Sequence, residues 1–437
     1  MPPTRPIGLA ARLRALCALM VMGAALAGCG ARDATHAPAR YLAITHAALD
    51  RVSFFDLDRR TVVGVLPTQK LPHDMLLGED GRTLYVVNSG GQCISTYDLG
   101  SPEVWREARA FMVRDTARSA SAPDQAHPPH GFVPSAMSMP AAPESLPTTA
   151  RRLTAVQALP AGIEHHHLTD PTFPERARAV HEREGALSHQ SCTDCHARSV
   201  GAKPFAPAFT DGGHTIRLVH LAARNSTELD AATLEVKRRI PLPIPPTYAP
   251  VEAWVRPGTD TAFVTCRDSI GRSLPGIILV MNLATGARLN LLSPGIYPWH
   301  LTPSEDGRRL YVNNFQSSHI AVVDVARAEV VDSLVAENGP AMMLPMDGGR
   351  TLLVSCFYTN RVLVMDLATH SVSRRIAVGS NPTTLLPVGD GRHVWVLCGG
   401  ESELQLVDLR SGRVVERHTL LFGAYSMQLV PRNGRRS

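Results

Sequence analysis

Five consecutive residues, Cys192-Thr193-Asp194-Cys195-His196, carry the most specific chemical pattern in this 437-residue chain. The spacing C-x-x-C-H is the attachment sequence for a c-type haem. Each thiol can form a thioether to a haem vinyl group, and the adjacent imidazole can ligate the iron. We therefore expect covalent haem c on Cys192 and Cys195, with His196 as the proximal ligand. A disulfide or a chance motif is the alternative.

The sequence leaves the second axial ligand of this haem open. His181 and His189 are the candidates nearest the motif, followed by the histidine run at 165–167. Because no methionine follows the motif before Met281, a ligand must come from upstream, from another part of the chain, or be absent. Each of these histidines can equally be a solvated loop residue.

The first residues predict export and a lipid anchor. Arginines between Arg5 and Arg14 precede an apolar run that ends in Leu-Ala-Gly-Cys29, a run too short to span a membrane. The pattern resembles a bacterial lipoprotein signal. The resemblance implies removal of residues 1–28, lipidation of Cys29 and an anchor linker over 29–39. It places the protein on the periplasmic side of the outer membrane, which Gly30 favours over the inner one. An ordinary secretory signal is the alternative.

The cysteine count and the net charge indicate which other ligands and partners to expect. Four of the eight cysteines have no role in the signal, the anchor or the haem motif: Cys93, Cys266, Cys356 and Cys398. In an oxidising compartment they can pair or bind metal. The formal charge of +5 is spread without a basic block, so nucleic acid is not an expected partner.

A repeat organises nearly the whole chain. The segment Leu310-Tyr311-Val312-Asn313-Asn314 is followed about ten residues later by an apolar run that ends at Asp324. The same unit recurs up to Asp366 and Asp408, a period of 42 residues. Short alternating runs separated by turn residues at this period predict four-stranded propeller blades.

The repeat resembles the YVTN family of β-propellers, with Leu310 to Asn314 as its best match. Seven copies of the second and third strands begin near Tyr41, Thr83, Thr215, Thr261, Arg309, Thr351 and His393. The run from Tyr425 to Val430 fits the missing inner strand of the first blade. We therefore predict an all-β, seven-bladed propeller over residues 40–139 and 211–433, closed by its C-terminal strand.

One blade is stretched by an insertion. Pro134 to Met139 reads as the inner strand of the third blade, but the expected Asp-Gly turn comes only at Asp211-Gly212. We therefore predict an irregular and partly helical haem-binding insertion over 140–210, between the first and second strands of blade 3. Such an insertion would leave the propeller on the face opposite the channel mouth described below.

Aligning the blades brings a second set of candidate residues to one end of the central channel. The ends of the second strands carry imidazoles and thiols, which suit copper, zinc or haem iron: His46, His220, Cys266, Cys356 and Cys398. This ring looks too wide for one metal ion, and thiols also fill small apolar sites between blades.

The inner strands begin on the same face, with polar residues next to their first prolines. His73 and Asp74 follow Pro72, Glu252 follows Pro250, and Trp299 and His300 follow Pro298. A carboxylate beside an imidazole can orient a ligand or move a proton. We therefore take His73, Asp74 and His300 as the candidate catalytic residues.

The propeller and haem motif together resemble the haem d1-binding propellers of nitrite reductases. That resemblance implies a second metal or cofactor at the channel mouth, with His73 or His300 as its ligand. The leading hypothesis is periplasmic electron transfer with a redox partner or small substrate. One alternative is a metal- or ligand-binding lipoprotein whose haem is structural or sensory. Another is an oxidoreductase with chemistry at the channel mouth.

Overall fold

The computed structural model describes residues 39–121, 198–200, 203–268 and 274–431. These residues form seven four-stranded antiparallel sheets. The inner strands of successive sheets contact one another in a closed cycle around a central channel. The predicted seven-bladed, all-β propeller is therefore confirmed.

Each blade runs from an inner strand at the channel to an outer strand at the rim. From inside outward, blade 1 comprises β28 (Ala424–Pro431), β1 (Ala39–His46), β2 (Arg51–Asp56) and β3 (Thr61–Pro67). Blade 2 comprises β4 (Pro72–Leu77), β5 (Thr83–Asn88), β6 (Cys93–Asp98) and β7 (Arg198–Ser199). Blade 3 comprises β8 (Pro204–Thr210), β9 (Thr215–His220), β10 (Asn225–Asp230) and β11 (Val236–Pro241). Blades 4 and 5 comprise β12 (Tyr248–Val255), β13 (Thr261–Asp268), β14 (Ile277–Asn282) and β15 (Arg288–Leu292); β16 (Pro298–Pro303), β17 (Arg309–Asn314), β18 (His319–Asp324) and β19 (Glu329–Val335). Blades 6 and 7 comprise β20 (Pro340–Met346), β21 (Thr351–Cys356), β22 (Arg361–Asp366) and β23 (Ser371–Ala377); β24 (Pro382–Pro387), β25 (His393–Cys398), β26 (Glu403–Asp408) and β27 (Arg413–Thr419).

The C-terminal strand closes the ring as predicted. β28 is the inner strand of blade 1 and pairs antiparallel with β1, with Val430 opposite Tyr41 and Gln428 opposite Ala43. The two ends of the propeller thus share one sheet, which leaves no unpaired strand at the seam between them.

The repeated aspartate owes its position to a local turn. The third strands of several blades end in a carboxylate that accepts hydrogen bonds from backbone N–H groups two and three residues later. Asp324, for example, accepts from the N–H groups of Ala326 and Arg327 at 3.0 Å each. Asp230 and Asp366 do the same in blades 3 and 6. This Asx turn leads each chain from its third strand into the fourth.

The insertion belongs to blade 2, and its predicted place in blade 3 is wrong. β8 is the inner strand of blade 3, with Pro204 opposite His220, so Pro134 to Met139 cannot hold that position. The fourth strand of blade 2, β7, comes about a hundred residues after its third strand. With only two residues, β7 is too short to be recognised from its sequence pattern. The run at 134–139 lies outside the described residues.

A helix opens the insertion and packs on blade 1. Ser101 caps helix α1 (Pro102–Ser121) by accepting a hydrogen bond from the N–H of Glu103, and Pro102 suits the first helical position. Trp105 is buried against Tyr41 and Phe54, with ring centroids 4.9 Å apart in both cases. The outgoing arm of the insertion is therefore fixed to the propeller. Across the residues the structure describes, no helix is long and apolar enough to cross a membrane.

The returning arm is fixed as well. Ser199 of β7 lies opposite Cys93, and the N–H of Val200 donates to the carbonyl of Gln92 at 2.9 Å. The Val200 side chain is fully buried between blades 2 and 3, and Arg239 donates to its carbonyl at 3.0 Å. Both ends of the insertion are thus held by the propeller.

Candidate ligand site at the channel mouth

A regular register places the start of each inner strand at the mouth of the channel. In five blades the proline that begins the inner strand lies opposite the last residue of the second strand. In blade 4, Pro250 within β12 lies opposite Cys266, two residues before the end of β13. Examples are Pro72 opposite Asn88 and Pro298 opposite Asn314. A register shift follows the proline in each of these strands. Such bulges re-aim side chains, and in this propeller they fall at the predicted catalytic residues.

Second strands of neighbouring blades hold the bulged backbone. Thr45 donates a hydrogen bond to the carbonyl of His73 at 3.2 Å, and Thr265 donates to that of Trp299 at 3.0 Å. Ser426 on β28 also donates to the His73 carbonyl, at 2.6 Å. These contacts across blade boundaries fix the direction of the side chains at the mouth.

His73 is packed against two aromatic rings. Its ring centroid lies 3.9 Å from that of Phe205 and 3.8 Å from that of Tyr425, and the residue is 6% exposed. Its Nδ1 atom lies 3.1 Å from Oδ1 of Asp74. His73 thus orients the carboxylate while its own ring is shielded from the channel.

Asp74 is held as a charged group at the channel wall. Its Oδ2 atom accepts a hydrogen bond from the N–H of Ala206 in the next blade at 3.0 Å. Burial by itself would raise the pKa of Asp74, but His73, the Ala206 N–H and His300 together hold it below the ordinary value. The carboxylate therefore stays ionised, with a quarter of its side chain exposed.

His300 forms the second carboxylate–imidazole pair. Its Nδ1 atom lies 3.0 Å from Oε2 of Glu252, which also accepts the N–H of Leu301 at 2.7 Å. Burial would lower the pKa of His300, but the carboxylates of Glu252 and Asp74 raise it above its ordinary value. Since Nδ1 is engaged with Glu252, Nε2 is the ring nitrogen left to act on a ligand.

A group of aromatic side chains lines the mouth across blades 5 and 6, and of its members the sequence pattern indicated only Trp299. We call it the aromatic arc: Tyr297, Trp299, Phe315, Phe357 and Tyr358. Tyr297 and Trp299 stack in parallel at 5.6 Å, and Phe315 contacts both as well as Phe357 and Tyr358 at 5.3–6.3 Å. Aromatic residues make up 5% of the chain, so this concentration is local.

The sequence did contain a signal for part of the arc. Phe315 and Phe357 come one residue after the ends of β17 and β21, which the blade alignment had already identified. Shifting that alignment by one residue brings Arg267 to the same position after Cys266. The Arg267 guanidinium lies 5.0 Å from the centre of the Tyr297 ring, so the arc already holds one cation on its face.

Tyr425 extends the aromatic surface on the opposite side, at the start of β28. Burial, followed by the negative charge of Asp74, raises the pKa of its hydroxyl well above the ordinary value. Tyr425 therefore remains a neutral phenol at physiological pH. The Phe205 ring contacts His73 and also lies 6.2 Å from the Trp299 ring, so the carboxylate at Asp74 and the aromatic arc border a common space.

The imidazoles at the ends of the second strands are each engaged by a hydroxyl group of their own blade. His46 and His220 are fully buried inside different blades. Their Nε2 atoms lie 2.7 Å from the Ser53 hydroxyl and 2.8 Å from the Thr227 hydroxyl, seven residues on in each case. Throughout the described part of the chain, no three His, Cys, Asp or Glu side chains are grouped so as to hold a metal.

The thiols of that ring are equally dispersed. Cys266, Cys356 and Cys398 are fully buried, and the described cysteines form no disulfide. Burial raises the pKa of Cys356 and of Cys398 to about 12, and that of Cys266 further. Because a thiolate is the form that binds metal, this supports the packing alternative for the three cysteines.

The remaining predicted site residues lie outside the described ranges. They are the anchor cysteine, the haem motif and its two candidate distal ligands: Cys29, Cys192, Cys195, His196, His181 and His189.

Comparison with known proteins bears on the fold. Residues 288–419 match the YNCE-like beta-propeller family model. This match covers blades 5 to 7 and the last strand of blade 4. None of the curated protein sequences matches the chain significantly.

Solved structures share the propeller at low sequence identity. Dihydro-heme d1 dehydrogenase NirN in complex with DHE is 14% identical in sequence, with a TM-score of 0.51. The match covers 90% of this chain and 66% of the NirN chain. A protein of unknown function from Desulfotomaculum acetoxidans is 12% identical, with a TM-score of 0.55, over 90% and 99%. Hydrazine synthase from Kuenenia stuttgartiensis is 13% identical, with a TM-score of 0.52, over 87% and 98%. Likeness at these identities shows the fold alone.

Proposed function

We propose that this protein is an exported, lipid-anchored c-type haem propeller that acts in periplasmic electron transfer. The observation that carries the proposal is the C-x-x-C-H motif at Cys192 to His196, on a chain whose first residues resemble an export signal. Haem c is attached outside the cytoplasm, so the signal and the motif agree. Two of the similar folds belong to proteins named as a dihydro-heme d1 dehydrogenase and a hydrazine synthase.

The attachment of the insertion supports this proposal. His196 precedes Arg198 of β7 by two residues, so the outer edge of blade 2 holds the carboxyl end of the segment that carries the motif. Ser199, Cys93, Asn88 and Pro72 lie opposite one another in one row across the blade. Three strand spacings, about 14 Å, separate Ser199 from Pro72 at the channel mouth.

The channel mouth provides the site for a small substrate or a second cofactor. His73 fits poorly as an iron ligand, because only 6% of the residue is exposed and its Nδ1 atom lies against Asp74. His300 does fit, because a third of its side chain is exposed and Glu252 orients the ring through Nδ1. A carboxylate-oriented imidazole can ligate a metal or move a proton through Nε2.

A pyridine haemochrome spectrum tests the haem. The protein is produced with cytochrome c maturation factors, and we expect one covalent haem per chain that survives denaturation. The Cys192→Ala/Cys195→Ala variant should lose it, whereas Cys93→Ala should retain it. A chain that carries no covalent haem under these conditions would exclude electron transfer by haem c.

Metabolic labelling with palmitate tests the anchor. We expect label in the wild-type membrane fraction and none in Cys29→Ser, which should be released into the periplasm. Label retained by Cys29→Ser would contradict the anchor assignment and leave the haem proposal unaffected.

A further inference from the structure

The wall of the central channel differs in charge from the rest of the protein. The seven inner strands, which the structure describes from end to end, contain no lysine or arginine. They contain two carboxylates, Asp74 and Glu252, and two imidazoles, His73 and His300. The chain as a whole has 44 Lys and Arg against 39 Asp and Glu. Inner strands without fixed positive charge favour a cationic ligand, and Arg267, which lies on the Tyr297 ring, shows that the aromatic arc accepts a cation.

The two carboxylates are built into equivalent positions. Each comes second after the proline of its inner strand, and each accepts a backbone N–H from the inner strand of the next blade. The protonated form of His300 offsets the charge of Glu252, and both carboxylates favour that form. Asp74 remains ionised, with part of its side chain open to the channel. The mouth therefore presents oriented negative charge.

Aromatic faces surround this charge. The aromatic arc approaches from blades 5 and 6, and Tyr425 from blade 1. The face of an aromatic ring carries negative potential and attracts cations, most strongly for Trp. Trp299 lies on the same strand as His300, so the best cation-binding ring adjoins the second carboxylate pair.

We propose that the channel mouth binds an organic cation, a quaternary or protonated amine on an apolar or aromatic body. The ammonium group lies against Asp74, and the body packs on the aromatic arc. The inference deepens the proposed function by naming the class of its small substrate. Binding of the cation depends only on residues of the propeller. Only the role of the bound cation in electron transfer rests on the proposed function.

Calorimetric titration of the haem-loaded mature protein tests the ligand class. The probes are benzyltrimethylammonium and benzenesulfonate, which share a phenyl ring and carry opposite charges. We expect the cation to bind with one site per chain, more weakly as salt increases, and the sulfonate not to bind. Binding of the sulfonate with equal or greater affinity, or binding of neither probe, would overturn the proposal.

Variants locate the site. Asp74→Asn can keep an oxygen acceptor for the Ala206 N–H, and Trp299→Leu keeps an apolar side chain. Each should weaken binding of the cation about tenfold. Glu329→Gln, on the exposed outer strand of blade 5, should bind as the wild type does. Unchanged affinity in Trp299→Leu would contradict the site even if Asp74→Asn does not fold.

The same titration on Cys192→Ala/Cys195→Ala separates the two proposals. Cation binding should persist in this variant without haem, since the site lies in the propeller. A wild-type protein that binds the cation but carries no haem would remove the electron-transfer proposal alone. A haem protein that fails to bind the cation would remove the ligand proposal alone.

Discussion

At the scale of single residues, the two histidines at the channel mouth differ in their burial and in their partners. His73 is enclosed by Phe205 and Tyr425, so its contribution is to orient Asp74. His300 is more exposed and is oriented by Glu252 through one ring nitrogen. We infer that His300 carries the proton or ligand chemistry of the mouth and that His73 is a positioning residue.

The first prediction concerns the pKa of His300. Glu252→Gln removes the carboxylate that raises this pKa, so the lowering effect of burial should then dominate. We expect the pKa of His300 to fall from above its ordinary value of 6.5 to below it. A proton NMR titration of the His300 ring measures this, with Glu329→Gln as the control. An unchanged titration would show that Glu252 does not set the pKa.

The same raised pKa has a consequence for stability. A histidine whose pKa is higher in the folded state than in the unfolded state stabilises the fold. This contribution is fully present when the pH is below the pKa of the histidine in the unfolded state. That contribution is lost as pH rises through the folded pKa of His300. Urea unfolding at several pH values should show this loss in the wild type and not in Glu252→Gln.

At the scale of elements, the packing of helix α1 on strand β3 fixes the outgoing arm of the insertion. Gly64 lies in the middle of β3, and a Cβ atom at that position would come 2.9 Å from the Cβ of Ala108. Trp105, one turn earlier on the helix, is 6% exposed and donates from Nε1 to the carbonyl of Leu99 at 2.8 Å. The helix therefore needs a glycine on the strand beneath it.

The second prediction is a double-mutant cycle at this contact. Gly64→Ala should destabilise the protein by about 1–3 kcal/mol, because the added methyl group overpacks against Ala108. Ala108→Gly alone should cost about 1 kcal/mol through its lower helix propensity. The double variant should lose less free energy of unfolding than the two single variants lose together, because removing the Ala108 methyl group makes room for the one added at position 64. Thermal or urea unfolding measures the cycle, and strict additivity would show that the helix does not lie on β3.

At the scale of the whole molecule, stability depends on closing the ring. β28 supplies the inner strand of blade 1 and also contacts the inner strands of blades 2 and 7. Without it, the edge of β1 would be exposed, and blades 2 and 7 would lose a neighbour. An exposed strand edge is a site for aggregation.

The third prediction follows from this closure. Truncation after Gly423 removes β28 and should abolish cooperative unfolding and produce aggregates on size-exclusion chromatography. Truncation after Pro431, which leaves β28 complete, is the matched control and should remain monodisperse with an unchanged melting temperature. A soluble, cooperatively folding protein that ends at Gly423 would contradict the closure.

The repeating part of this protein could be predicted from local patterns in its amino-acid sequence. The starts of all seven second strands, the turn aspartates and the closing strand follow from hydrogen bonds and alternation within short stretches of chain. The same alignment correctly brought His73, Asp74, Glu252 and His300 to one end of the channel, because strand order fixes the face on which each inner strand begins.

What those residues do together depends on tertiary packing. Glu252 and His300 are 48 residues apart and meet across a blade boundary, and the aromatic arc likewise spans two blades. The placement of the insertion depended on β7, whose two residues pair with a strand about a hundred residues earlier. Such contacts join distant parts of the chain through packing, so no local pattern in the sequence records them.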